Sequence, residues 1–352
     1  MLDQILPPKP GPVVKPGDFK FAAAYFDHGH VYTQAQGLVE AGGVLKWIFD
    51  PQPKQLGAFR AQFPTAKIAR SFDEILDDPE IQLVTTASVP CERGPIGLQV
   101  FAAGKHYFTD KPPVTTWSQL EDIKSAVAKH RRIFAAFFSE RLHSECAIHA
   151  GTLIQRGAIG RVYQVIGLGP HRLSKPNRPA WFFDKQKYGG ILCDIGSHQC
   201  EQFLHYTGAT DAEVTHAAVA NHQNKDCPAF EDFGEASFLG NNGATHYMRV
   251  DWFTPAGLGT WGDGRTIILG SEGYIELRKY TDVAATNTPD HLILVDAKGE
   301  HHMELKGKIG FSYYGELILD CLQGTESAMP QAHVFKSVEL CLKAQAAARR
   351  IP

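Results

Sequence analysis

Between Lys20 and Phe137, short apolar runs alternate with stretches of helical periodicity, and that alternation leaves a chain few ways to fold. Lys20 to Phe26, Val44 to Phe49, Lys67 to Ala69, Ile81 to Thr86, His106 to Thr109 and Ile133 to Phe137 read as strands. His30 to Ala41, Pro53 to Gln62, Phe72 to Leu76, Glu92 to Ala103 and Trp117 to Lys129 read as the helices between them, with Ser71 and Glu74 as a capping box. Strands joined through helices run parallel, because each crossover returns the chain to the same edge of the sheet. The expected fold class is α/β, beginning with a doubly wound parallel sheet of the nucleotide-binding kind.

The rhythm changes on either side. Five prolines between Leu6 and Gly17 exclude a regular helix or a central strand, so residues 1–17 read as an extended arm of the sort that often lies across a neighbour. Residues 18–138 form the sheet domain, and residues 139–352 a second α+β domain with an open, mostly antiparallel sheet. There a helix (Leu142 to Gln155) and a strand (Val162 to Leu168) precede an irregular stretch, Pro170 to Lys187, and then a helix after Gly189. Asn242-Gly243, Ser271-Glu272-Gly273 and Lys298-Gly299 mark hairpin turns between alternating strands, and helices from Ser312 to Leu322 and Ala332 to Arg349 follow.

Charge narrows the partners. A net charge of -3 and a pI near 6.6 supply no basic field for nucleic acid or anionic lipid, which leaves small molecules as the expected ligands. No apolar run reaches membrane-spanning length and the first residues lack a signal-peptide core, so the cytoplasm is expected. Seven cysteines without a Cys-x-x-Cys pair read as reduced thiols.

Three places carry chemistry. The turn after the first strand, Asp27-His28-Gly29-His30, stands where a dinucleotide fold shows Gly-x-Gly-x-x-Gly, and only Gly29 of that pattern is present. Asp50 ends the second strand, where an acid accepts hydrogen bonds from a ribose diol. Thr86, Ala87 and Ser88 end the fourth, at the ligand edge of such a sheet. The second place is Asp110-Lys111-Pro112, whose proline stops the strand at that same edge. The third is Gly189 to His198, where Asp194 and His198 stand four apart and so emerge on one helical face, continued by Glu201 and His205. Each place has a plainer reading: a nucleotide-type fold without a cofactor, a turn with a solvated lysine, and a wet helix face.

Taken together, Gly104 to Pro112 and Gly189 to His198 resemble the Glu-Lys-Pro and Gly-Gly…Asp-x-Gly-x-His motifs of the glucose-fructose oxidoreductase, inositol dehydrogenase and rhizopine-catabolism (Gfo/Idh/MocA) family. The resemblance runs from about Lys20 to the C-terminus and includes Gly157 to Arg161. It implies NAD(P), here NAD rather than NADP because of Asp50, with sugar or polyol substrates and homodimers or homotetramers built through the open sheet. Carried over, Lys111, Asp194 and His198 are the catalytic residues, and a cis peptide precedes Pro112. Histidine suits the base that takes the hydroxyl proton, lysine can stabilise the same oxygen, and aspartate can orient substrate or imidazolium. Lys111 also joins Asp27, His28, Gly29, His30, Asp50, Thr86, Ala87 and Ser88 as a cofactor-binding candidate. Asp110 replaces the family's glutamate, Glu201 stands where aspartate is common, and the glycine fingerprint is reduced.

Arg141, His143, His171, Arg172, Trp181 and Tyr188 are candidate substrate residues, since hydroxyl-rich ligands need donors and an aromatic platform. No metal is expected, although Asp194, His198, Glu201 and His205 could be read as a ligand set. The expected activity is hydride transfer between nicotinamide and a secondary alcohol. The alternatives are a glycosidase or lyase that oxidises and re-reduces its substrate on a retained NAD, and a cofactor-free binding or regulatory relative.

Overall fold

A computed structural model describes residues 6–352. The expected alternation is present as β1 (Lys20–Ala24), α1 (His30–Glu40), β2 (Val44–Phe49), α2 (Pro53–Gln62), β3 (Lys67–Ile68), α3 (Phe72–Asp77), β4 (Leu83–Thr86), α4 (Pro90–Ala102), β5 (His106–Asp110), α5 (Trp117–His130) and β6 (Phe134–Phe137). These strands form one six-stranded parallel sheet in the order β3-β2-β1-β4-β5-β6. Phe21 to Ala24 and Leu83 to Thr86 are buried, as expected of central parallel strands covered on both faces. The order reverses between β1 and β4, and in open sheets of this kind the ligand crevice lies beyond the carboxyl ends at that reversal.

The chain continues as α6 (Ser139–Leu142), α7 (Glu145–Gln155), β7 (Val162–Pro170), two short 3-10 turns, α8 (Lys185–Tyr188), α9 (Ile191–Asp194), α10 (Gly196–Thr207) and β8 (Ala212–Ala220). Then come β9 (Phe233–Gly240), β10 (Thr245–Asp251), β11 (Arg265–Gly270), β12 (Gly273–Arg278), β13 (His291–Asp296), β14 (Gly299–Glu304), α11 (Tyr313–Gln323), α12 (Gln331–Ala347) and β15 (Arg349–Arg350). The second sheet has nine strands in the order β14-β13-β12-β11-β7-β10-β9-β8-β15. It is antiparallel except where β10 meets β7 and β15 meets β8. One helix was expected over Leu142 to Gln155. Instead His143 caps α6, and α7 starts afresh after Ser144.

Two compact units result, and they do not divide the chain linearly. Residues 10–137 associate with 311–335, while residues 6–9, 138–310 and 336–352 form the second unit. The linear boundary at residue 138 is amended for a packing reason. The Tyr314 ring lies over Gly37 of α1, where a Cβ would be 2.4 Å from it. The Gln331 side-chain amide also bonds both the N–H and the C=O of Phe134 at 3.0 Å, closing the outer edge of β6. The arm is amended as well. Its residues 1–5 lie outside the described residues, and the Val13 N–H bonds to Ala41 C=O at 2.9 Å, which ties this part of the arm to the end of α1. No helix among the described residues is long and apolar enough to cross a membrane.

Candidate active site

The turn after β1 keeps the shape of a dinucleotide loop without its glycines. Tyr25 takes φ +57°, a left-handed conformation that glycine adopts without steric cost, and its ring packs edge-on against Phe49 and Phe72. Gly29, by contrast, has φ -63° and open space where a Cβ would stand. It caps α1 without a side-chain hydrogen bond of its own, and the first amides of that helix turn back on the loop: His30 N–H to His28 Nδ1 at 3.4 Å, Val31 N–H to His28 C=O at 3.4 Å and Tyr32 N–H to Gly29 C=O at 3.2 Å. The loop is tied across the β1–β4 reversal. The Ala87 N–H donates to Tyr25 C=O at 3.1 Å, and the His28 N–H donates to Ala87 C=O at 3.0 Å. The backbone of Ala87 is thus engaged within the unit, contrary to the expectation that it meets a ligand. Ser88 Oγ is buried with no protein partner among the described residues, and Thr86 Oγ1 pairs with Tyr107 Oη at 2.8 Å.

Asp110 is the centre of this half of the site. Its Oδ1 faces His30 Nδ1 at 2.7 Å and accepts the Lys111 N–H at 2.7 Å. Its Oδ2 faces His28 Nδ1 at 3.0 Å and accepts from Arg93 Nη2 at 3.1 Å. Burial opposes ionisation, but His30, Arg93 and His28 outweigh it and hold the carboxyl well below its usual range. The ligand atoms of His28, His30 and Asp110 lie within 4.8 Å of one another, yet Arg93 occupies the carboxylate and opposes a cation there. Arg93 also donates to Ser88 C=O and Pro112 C=O, at 2.8 and 3.0 Å. Sequence reasoning missed Arg93, because one arginine in a helix gives no sign that it will be buried. Lys111 follows directly, 5% exposed, and the Lys111–Pro112 peptide is cis, as the resemblance implied.

Asp50 is buried, its carboxylate accepting the Phe26 N–H at 2.6 Å and the Gln52 N–H at 2.7 Å. Burial nevertheless pushes its carboxyl up, the two backbone bonds only partly offsetting that cost. Asp27 lies towards Gln52, with its carboxyl also raised by burial and by Asp50.

In the second unit, Gly189 and Gly190 both take positive φ, 87° and 93°, and a Cβ on Gly190 would stand 2.2 Å from Gln345 Oε1. Only glycine fits there. The Ile191 N–H is capped by Glu231 and the Leu192 N–H by Gln345, each at 3.0 Å. The continuous amphipathic helix expected here is two helices meeting at Ile195, with Asp194 ending the first and His198 in the first turn of the second. Nor is its polar face wet. Every residue of α10 from Gly196 to Leu204 is buried, as α10 packs on β7, where Gly167 leaves room for Gln199.

Beneath His198 lies a buried polar network. The Glu140 carboxylate accepts from Gln199 Nε2 at 2.7 Å and from Lys279 Nζ at 3.0 Å, while its Oε1 has no protein partner among the described residues. Burial opposes ionisation here too, but Lys279, His198 and His171 together hold the carboxyl at about 2. Arg141 Nε donates to Glu201 at 2.6 Å, a buried pair that gives both residues a structural partner. The ligand atoms of Asp194, His198, Glu201 and His205 do not converge as a metal set.

The substrate candidates separate. His171 packs against Trp252 and Trp261, with Nδ1 3.1 Å from Gly169 C=O, and Trp181 is half-buried against Phe182. Arg172 is drawn instead into the loop 255–260, donating to the carbonyls of Pro255, Leu258 and Thr260. Tyr188 does not line a cleft: it is 2% exposed and its Oη accepts the Glu231 N–H at 3.0 Å.

Residues 21–138 match a family described as "Oxidoreductase family, NAD-binding Rossmann fold", and residues 148–276 match the GFO/IDH/MocA C-terminal domain. An oxidoreductase of Erwinia carotovora atroseptica SCRI1043, solved as a crystal structure, is 45% identical, with a TM-score of 0.92 over 95% of this chain and 100% of that one. The chain belongs to the Gfo/Idh/MocA oxidoreductase family. Scyllo-inositol 2-dehydrogenase (NADP(+)) IolW of Bacillus subtilis is 27% identical over 170 residues, 47% of this chain and 46% of that protein. Levoglucosan dehydrogenase of Pseudarthrobacter phenanthrenivorans is 28% identical over 172 residues, 48% of this chain and 44% of that protein. The chain thus matches under half the length of these two relatives. The family's Rossmann fold binds NAD(P), and the open space at Gly29 and the buried Ser88 Oγ, without a protein partner among the described residues, fit such a ligand.

Proposed function

We propose that this protein is an NAD-dependent dehydrogenase that oxidises a secondary alcohol of a sugar, polyol or related cyclic substrate. The observation that carries the reading is the placement of Lys111: a buried lysine at the carboxyl edge of a Rossmann sheet, its N–H bound by a carboxylate that also gathers two residues of the dinucleotide loop. The names of the inositol and levoglucosan relatives support the substrate class. Asp50 supports NAD over NADP, because a carboxylate accepts from a ribose 2′-hydroxyl and repels a 2′-phosphate. When bound, the nicotinamide supplies the hydride acceptor.

The chain's own groups do the rest. His198 takes the hydroxyl proton as the C–H bond gives up its hydride, and the ionised Glu140 gives the resulting imidazolium a negative neighbour. Lys111 stabilises the oxygen while it carries negative charge, and Asp194 orients substrate or imidazole. The outward face of the second sheet is assigned to a second copy of the chain. Lys111→Ala and His198→Ala should each lower turnover about a hundredfold or more while NAD affinity stays within a fewfold. Turnover retained in both variants defeats the assignment. Substrate turnover without net change in nicotinamide absorbance would point instead to the oxidise-and-restore alternative.

A further inference from the structure

The histidine pair of the dinucleotide loop has an orientation that fixes where its protons are. His28 and His30 both turn Nδ1 to the Asp110 carboxylate, at 3.0 and 2.7 Å, and the ring centroids stand 4.3 Å apart. The carboxylate is ionised, so each Nδ1 must carry the hydrogen. The His30 N–H also approaches His28 Nδ1, but at 3.4 Å it is the longer contact and is made to a neutral acceptor. Among the described residues, neither Nε2 has a protein partner. In a neutral imidazole of this tautomer, Nε2 is a bare lone pair. It can meet a cationic or neutral donor, but it repels a phosphate oxygen.

The surroundings favour the neutral form of His28 while no ligand is present. Burial, and next His30, hold the His28 imidazole down at about 4. The charged groups facing the pair are Asp110 and Lys111 after β5, Arg93 on α4 and Asp27 in the same loop. Arg93 and Lys111 are cationic and oppose a further positive charge, whereas Asp110 shares its own charge among four donors. A dinucleotide changes this balance, because its pyrophosphate brings negative charge to the start of α1, where the loop amides are already engaged: His28 N–H with Ala87 C=O, and Val31 and Tyr32 N–H with the carbonyls of His28 and Gly29.

Resting on the cofactor reading above, we infer that His28 and His30 replace the missing glycines as the anion-binding donors of this loop, and that dinucleotide binding therefore draws a proton from solvent onto the pair. One proton is expected rather than two, since adjacent imidazoliums 4.3 Å apart repel, so one ring of the pair donates to the phosphate at a time while the other stays neutral and turned from it. The balance is simple: protein, dinucleotide and one proton from the buffer give the complex. His28–Asp110 and His30–Asp110 are positioning bonds that aim Nε2 outward.

The test is isothermal titration calorimetry of the full chain with NAD and NADP, in phosphate and in Tris at equal pH and ionic strength. Because these buffers differ in ionisation enthalpy, the difference in heat counts protons. The expected result is uptake of up to one proton per dinucleotide near neutral pH, with Kd rising as much as tenfold per pH unit until the bound pair loses its proton. In His28→Gln with His30→Gln, the amide N–H donates without titrating, so binding should persist while proton uptake and the pH slope vanish. Binding with equal heats in both buffers across pH 6 to 8 would overturn the inference, as would unchanged uptake in the double variant. The wild-type measurement stands alone if that variant fails to fold. No binding of either dinucleotide would reject the cofactor reading itself, a result distinct from binding without protons.

Discussion

The Arg93 guanidinium and the Asp110 carboxylate meet at 3.1 Å, with each side chain only 1% exposed. The guanidinium also holds the chain at Ser88 and Pro112, so one side chain ties α4 to the ends of β4 and β5. Removing one partner of a buried pair leaves the other charge without compensation, typically at a cost of about 3–5 kcal/mol. Arg93→Met should cost about that much in urea unfolding. A loss under about 1 kcal/mol would show that His28 and His30 alone can satisfy the carboxylate.

Acid should loosen the fold before carboxylates titrate. Burial, then Arg132, pushes His106 down to about 4, and burial does the same for His246. Both rings are committed while neutral: His106 Nδ1 accepts the Ile133 N–H at 2.9 Å, and His246 stacks on Phe203 with Nδ1 2.8 Å from Val165 C=O. The unfolded chain binds these protons near pH 6.5, whereas the folded chain binds them only near 4. Their contribution is therefore complete above about pH 6.5 and declines as pH falls towards 4, by about 1.4 kcal/mol per unit for each ring. Thermal melts between pH 4 and 7 at fixed ionic strength check this, and a Tm flat over that range would contradict it.

Tyr25 sets a backbone cost against aromatic packing. Its φ of +57° costs about 1–2 kcal/mol relative to glycine, so Tyr25→Gly gains on that count. The lost ring forfeits two edge contacts of about 0.5–1.5 kcal/mol each, together with its burial. Packing wins. Denaturant unfolding should find Tyr25→Gly destabilised by about 1–2 kcal/mol and Tyr25→Phe near neutral; a stabilised glycine variant would mean that strain dominates.

Across the second sheet, paired positions Leu239, Thr245, Gln164, Leu269 and Tyr274 form one row. Leu239, Leu269 and Tyr274 are each more than 40% exposed, and Ile267 lies two residues along on the same face. Exposed apolar area of this extent in a single copy favours association. Leu269→Lys with Ile267→Lys should shift sedimentation towards the monomer while leaving far-UV circular dichroism unchanged. An unchanged sedimentation coefficient would overturn the assignment of this face to a second copy.

The sequence made the first sheet and the hairpins of the second legible because each depends on local pattern: apolar strands between helices, and Asn-Gly or Lys-Gly at turns. Lys111 and His198 stand out by the order of the motifs that hold them, and the roles given to them are the proposal above. What stayed hidden depends on neighbours distant in the chain. Tyr25 keeps a glycine conformation because Phe49 and Phe72 hold its ring, and Glu140 is ionised in the interior because Lys279 reaches it. Arg172 and Tyr188 looked like ligand donors by residue type, but Arg172 Nη2 and Tyr188 Oη are engaged by backbone of the unit itself. The helix break at Ile195 had only Gly196 to mark it, a weak signal inside an apolar and polar pattern that otherwise continues.

The Gln331 amide that closes β6 belongs to a stretch of chain made long after β6 itself. A ribosome translating this message would release all six strands of the first sheet well before the segment that covers α1 and seals that edge. The nascent sheet would wait with a bare backbone flank through synthesis of the whole second sheet. Pulse-labelled, stalled chains long enough for β6 to have cleared the ribosome but ending before residue 311 should consequently be more protease-sensitive at β6 than chains whose residues 311–335 have also emerged.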